Sequence, residues 1–187
     1  EQLQAIFSFC ESGNSLHSDT LMLYANKAAG IAASVNGKEE QVNAMYYQCF
    51  ALTNKGQVDS SLSLANQCVA ILSSSVNNAA LLGNVYNQMG RCYMRMNQYN
   101  KAIDFGFKVI DKAEQAGNVL LQMKGKTLIG WAYLEMGKTK DALEWHLKAL
   151  NTATDSTMLE KYSILLANLA LNYRSLANID SSFHYIN

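Results

Sequence analysis

The sequence predicts an all-α protein, a superhelix of antiparallel helical hairpins with about ten helices. Three observations carry that prediction. A small residue followed three positions later by a large apolar one recurs at Cys49/Leu52, Gly90/Tyr93, Gly130/Tyr133 and Ala170/Tyr173, in steps of 41, 40 and 40 residues. Each pair is followed by a second small position, at Ser61, Ala102, Ala142 and Ser182. Repetition at such a period marks a solenoid, whose units bury their apolar faces against their neighbours rather than within themselves. The third observation is the absence of proline from 187 residues, where average usage of roughly 5% would supply several. Back-to-back helices joined by very short turns account for it.

The elements follow in order. Residues 1–12 are expected to be the stub of a first helix and 17–35 its partner. Asn36 with Glu39 suggests a loose capping box at the start of the next unit. From Leu81 to Met96 the apolar positions Leu82, Val85, Tyr86, Met89, Tyr93 and Met96 fall three or four apart, as on an amphipathic helix. A second helix is expected from about Tyr99 to Ala116, stopped by Gly117-Asn118 with glycine in the left-handed position after the helix. The next unit repeats the plan, with Leu128, Trp131, Tyr133 and Leu134 in its first helix. Gly137 supplies its turn, and Ala142, Leu143, Trp145, Ala149 and Leu150 follow. Thr157 with Glu160 fits a capping box opening the last unit. The units run approximately 1–37 (partial), 38–77, 78–117, 118–155 and 156–187 (truncated), in one domain. The chain starts at Glu1 and its last repeat stops early, so it is expected to be part of a longer protein. The missing initiator methionine suits a bacterial periplasm, while four unpaired cysteines lean the other way, toward the cytoplasm.

Composition narrows the function. With 49% apolar residues the chain has material for a core. Fifteen basic residues balance fifteen acidic ones without blocks of either sign, so the basic stripe that nucleic-acid binding requires is missing. No stretch approaches the ~20 apolar residues of a membrane helix. Cys10, Cys49, Cys68 and Cys92 show no CxxC pair, and they read as small buried hydrophobes. His17, His146 and His184 lie in different units without a second ligand at metal spacing. Gly83, Gly90 and Gly106 fall within helical patterns rather than in a phosphate loop. No catalytic residue, metal or cofactor is expected, and the chain is read as non-enzymatic.

The recurring positions resemble the tetratricopeptide repeat family, which pairs two antiparallel helices through a small residue, an aromatic, a turn glycine and two alanines. Gly130, Tyr133, Gly137, Ala142 and Ala149 match best. The preceding unit has Gly90, Tyr93 and Ala102, with Asn97 for the turn glycine and Val109 for the later alanine. The outer units are degenerate, with Cys49, Ser61 and Cys68 in one and Ala170, Ala177 and Ser182 in the other. The usual period is ~34 residues, and the longer one here adds about a turn of helix. Forty-residue variants are similar to repeats of kinesin light chains, of division-orienting adaptors and of bacterial signalling proteins.

That resemblance implies a right-handed superhelix whose first helices line a concave wall that binds a protein or peptide. By register the wall carries Asn43, Tyr46, Phe50 and Thr53, then Asn87, Arg91, Met94 and Arg95. Lys124, Thr127, Trp131, Leu134 and Glu135 follow, then Leu171, Arg174 and Ser175. Phe50, Arg91, Trp131 and Leu171 occupy equivalent positions and are expected to stack along the groove. Aromatic and arginine anchors suit a segment with apolar and acidic residues; alternatively Phe50 and Trp131 pack against neighbouring repeats. The family's carboxylate clamp looks absent. The resemblance implies the sensor or scaffold region of a larger bacterial signalling protein, a two-component kinase or transcriptional regulator. The alternatives are small-ligand sensing in the groove and homodimerisation through the terminal helix, where Phe183, Tyr185 and Ile186 would be exposed.

Overall fold

The computed structural model describes residues 1–12, 17–75, 78–155, 157–158 and 162–176, to which all that follows refers. Nine helices account for the architecture: α1 (Gln2–Ser12), α2 (Ser18–Ser34), α3 (Lys38–Asn54), α4 (Val58–Ser75), α5 (Ala79–Arg95), α6 (Tyr99–Gln115), α7 (Val119–Glu135), α8 (Thr139–Leu150) and α9 (Ile164–Ser175). No strand occurs among the described residues. The second half of the last unit, with Phe183, Tyr185 and Ile186, lies outside them. Consecutive helices pack along the chain, and each odd-numbered helix also touches the next odd-numbered one. The odd helices therefore form one continuous inner wall.

The period has a local cause. Helices α2, α3, α5, α6 and α7 are each 17 residues long, about 25 Å at 1.5 Å per residue. Three residues connect each to its successor. The middle connector residue is left-handed in Asn36, Gly56, Asn97, Gly117 and Gly137, with φ between 51° and 77°. The third sends its N–H back five residues, as in Gly37 to Ala32 O (3.0 Å), Gln98 to Tyr93 O (2.9 Å) and Lys138 to Tyr133 O (2.9 Å). This is the Schellman closure of a helix C-terminus. The carbonyl of that same third residue accepts the first bond of the next helix, from Gln41, Ala102 and Ala142 respectively. One residue thus ends one helix and starts the next. Glycine and asparagine are the side chains that enter this conformation at least cost.

Two starts are capped by asparagine side chains. Asn78 Oδ1 accepts from Leu81 N–H and Asn118 Oδ1 from Leu121 N–H, both at 2.9 Å. The capping box expected at Asn36 and Glu39 is absent. Asn36 is the left-handed residue closing α2, and Gly37, without a side-chain cap, begins α3. Glu39 instead accepts from Asn78 Nδ2 at 2.7 Å. At the last unit Asp155 Oδ1 accepts from Thr157 Oγ1 (2.6 Å) and Met158 N–H (3.1 Å). Glu160, the other half of the expected box, lies outside the described residues.

Small residues set the helix spacing. Ala25, Ala28, Ala51, Ala65, Ala102, Ala132, Ala142 and Ala149 are fully buried between helices. A β-carbon on Gly130 would sit 2.6 Å from the His146 ring. Cys10, Cys49, Cys68 and Cys92 are free and buried, as small hydrophobes. Where cysteine and serine replace the repeat's alanines, a polar cluster forms. Thr53 and Ser61 hydroxyls lie 2.9 Å apart and each donates to Cys49 O at 2.9 Å. Gln88 Nε2 joins them from α5, at 2.5 Å from Thr53 Oγ1. The cluster ties α3, α4 and α5 together with its polar atoms satisfied.

Candidate functional site

Of the four equivalent positions on the inner wall, the first two are in direct contact. The Arg91 guanidinium of α5 stacks 4.5 Å over the Phe50 ring of α3, a cation–π arrangement. Its edge donates to Gln88 Oε1 (3.5 Å) and Asn54 Oδ1 (3.4 Å). One register step further, Trp131 is half-buried against Met94, Ala102, Leu128 and Ala132. Its Nε1 donates to Glu135 Oε1 at 3.1 Å, so the indole belongs partly to the core and partly to the wall. Leu171, the last of the four, has 41% of its surface exposed.

Around these positions, charge sits in poorly solvated surroundings. Burial pushes the Arg91 pKa down, while the Tyr46 and Tyr162 phenols push it back up. Lys124 is likewise lowered by burial, opposed by Glu11 and reinforced by Arg91. Tyr46 is raised by burial and drawn the other way by Arg91. Tyr162 is raised to about 12, again by burial, against a hydrogen bond with Thr127 and the pull of Arg91. Tyr46, Arg91, Lys124 and Tyr162 come from four different segments, all four are half-buried, and Arg91 acts electrostatically on each of the other three. Beside it lies a cleft of ≈ 530 Å³ whose lining includes Glu11, Glu39, Glu40, Asn43, Asn78 and Asn84.

The other predicted residues divide. Asn43, Asn87 and Leu134 are half-buried, and Arg95 and Arg174 are exposed. Met94 and Thr127 are buried, at 4% and 3% exposure, as is Thr53 at 0%; these three are corrected from wall to core. Met94 packs on Ala102 and Leu128, and Thr127 returns its hydroxyl to Met123 O at 2.9 Å. A helix flanked on both sides by other helices leaves only a narrow open stripe, and residues one position off it turn into the packing. Glu11 and Tyr162 were not anticipated. Glu11 stands on the partial first helix, and Tyr162 precedes α9, outside the register that located the others.

Among the described residues no group of three or more His, Cys, Asp or Glu could hold a metal ion, and no helix is long and apolar enough to cross a membrane. The described histidines are accounted for locally. His17 Nδ1 accepts from Asp19 N–H at the start of α2, and His146 is fully buried, its Nδ1 on Asn172 Oδ1. His184 lies outside the described residues.

Stacked helical hairpins with a half-open aromatic and cationic inner wall define a protein–protein interaction module, a scaffold type that is generally non-catalytic. The chain carries tetratricopeptide repeats: residues 83–105 and 127–157 match models of that repeat. No curated protein matches it by sequence. Among solved structures it is similar to the nearly identical TPR-like repeats of a candidate kinesin light chain from Podosopora anserina. A point-substituted form of that protein aligns with a TM-score of 0.63 at 14% identity, covering 99% of this chain and 91% of that one. BtubC (BKLC) from P. vanneervenii aligns with a TM-score of 0.58 at 12% identity, covering 90% and 88%. The likeness is one of fold.

Proposed function

We propose that the chain binds a segment of a partner protein along the inner wall of α3, α5, α7 and α9, without catalysing a reaction. The observation that carries this reading is the set Phe50, Arg91, Trp131 and Leu171, equivalent positions on successive inner helices whose side chains are each left partly open. Aromatic and arginine side chains in such a position are typical anchors, because they present large area at modest entropic cost. In this reading the module is the sensor or scaffold region of a larger bacterial signalling protein, as in the repeat proteins the sequence resembles.

Peptides selected from a random display library on the full chain test the reading. Phe50→Ala and Trp131→Ala are expected to weaken the selected peptides at least about tenfold, roughly 1.4 kcal/mol each. Phe107→Ala, which removes a half-exposed ring from α6 on the even-numbered layer, is expected to leave binding unchanged. Equal binding by wild type and both wall variants would refute it.

A further inference from the structure

The links between helices are not equally tight. In the link from α2 to α3 three backbone bonds run from Val35 N–H to Ile31 O (3.3 Å), Asn36 N–H to Ala33 O (3.3 Å) and Gly37 N–H to Ala32 O (3.0 Å). In the α3–α4, α5–α6, α6–α7 and α7–α8 links the equivalent bonds measure 3.0–3.1, 2.9–3.1 and 2.9 Å. All three are therefore longest between α2 and α3. Competition for the acceptors accounts for it. The Ser34 hydroxyl donates to Ile31 O at 2.7 Å, the acceptor that Val35 uses, and Gln41 Nε2 reaches Ala32 O at 3.5 Å. Helix α3 also starts at Gly37 without a side-chain cap, and Val35 is 61% exposed. With few contacts to hold it shut, this link opens locally more readily than the others.

At its centre stands the one Asn-Gly pair of the sequence, Asn36-Gly37. Asparagine is a thermally labile side chain. The next residue's backbone nitrogen can attack its amide carbon, and glycine has no side chain to obstruct that approach. Asn36 is exposed, and its side-chain amide has no hydrogen-bond partner among the described residues. Asn97, the other left-handed asparagine, accepts at Oδ1 from the Tyr99 hydroxyl at 3.0 Å and is followed by Gln98.

We propose that Asn36 is a site of spontaneous deamidation, reached through local opening of the α2–α3 link. The closed link is protected, because the Gly37 N–H is engaged with Ala32 O and Asn36 is held at φ 51°. In the open link hydroxide removes the Gly37 amide proton and the nitrogen attacks Asn36 Cγ. The Cγ–Nδ2 bond breaks, and the amine leaves as ammonia with a proton from water, which restores the hydroxide. Water then opens the five-membered succinimide at either carbonyl, so that overall one water enters and one ammonia departs. One product is aspartate. The other is isoaspartate, whose main chain runs through Cβ and Cγ and is one carbon longer. That extra carbon lies inside the loop that the three bonds close, so the isoaspartyl form cannot restore them and the end of α2 is freed from α3.

The test follows the folded full chain during prolonged incubation at neutral and mildly alkaline pH, by tryptic digestion and mass spectrometry. Peptide 28–38 contains Asn36 as its one amide side chain. It is expected to show the amide-to-acid mass change before any other asparagine peptide, at a rate proportional to hydroxide, and to split into aspartyl and isoaspartyl forms matched to synthetic standards. In the urea-unfolded chain, where folding no longer matters, Gly37→Ala should lose most of the conversion seen for wild type over the same interval. No conversion at residue 36, earlier conversion elsewhere, or an unaffected Gly37→Ala variant would overturn the site. The ratio of folded to unfolded rates measures the opening. A ratio well above the global unfolding constant from urea denaturation supports local opening, and one equal to it refutes it. In the isoaspartyl form, separated by ion exchange, amide hydrogen exchange at the end of α2 is expected to be faster than in the starting protein; equal exchange would refute the loosening.

Discussion

His146 sits where α7, α8 and α9 meet, its ring against Gly130 and its Nδ1 hydrogen-bonded to Asn172 Oδ1. Because an amide oxygen only accepts, Nδ1 carries the proton, and Nε2 is left without a partner among the described residues. Burial holds the His146 pKa below its ordinary value of 6.5, outweighing hydrogen bonds that favour the charged form. The folded state therefore binds fewer protons than the unfolded state once pH falls below that value, and stability drops as pH descends through about 6.5. The melting temperature is expected to fall between pH 7.5 and 5.5, and the double variant His146→Leu/Asn172→Leu to flatten that dependence. Asn172→Leu alone, which strands the imidazole, should cost about 1–3 kcal/mol in chemical denaturation. Gly130→Ala drives a methyl into the same ring and is expected to cost about 1–3 kcal/mol. The sequence pointed to Gly130 through its place in the repeat. The role of His146 was invisible, because its partner lies 26 residues away in another unit.

At the level of the element, the connector decides more than the helix interior does. Each three-residue link needs a left-handed middle residue, supplied by glycine at 56, 117 and 137 and by asparagine at 36 and 97. Gly137→Ala is expected to lower stability by about 1–2 kcal/mol, while Asn97→Gly should be neutral or stabilising. Urea unfolding of both variants, compared at equal m-values, checks the pair. The helices of the middle of the chain and their boundaries were readable because helices of seventeen residues joined by links of three repeat the apolar pattern in phase. Asn36 was misread because asparagine serves equally as a helix start and as a left-handed stop, and only the backbone distinguishes the two. Met94 and Thr127 were misplaced for a related reason. Register locates the inner face of a helix but not its width, which the neighbouring helices trim.

For the molecule as a whole, the inner wall and the outer layer are built differently. Odd helices meet both their sequence neighbours and the next odd helix, so among the described residues α5 and α7 are covered on more sides than α4 and α6. In a stack where each unit leans on its neighbours, local opening is cheapest for the helices with the fewest neighbours. Amide hydrogen exchange is expected to be slower in α5 and α7 than in α4 and α6. Uniform protection along the chain would contradict that picture.

The residue that ends one helix and begins the next leaves the connectors no slack. Inserting one amino acid into a helix beside such a link would turn everything beyond the insertion by about 100°, the rotation per residue of an α-helix. Every later contact would then face the wrong way. The array behaves like a screw thread: it can be lengthened by whole turns of forty residues, and a fractional one strips it. Change within this protein is therefore expected to come as substitutions on the wall or as the gain and loss of entire units.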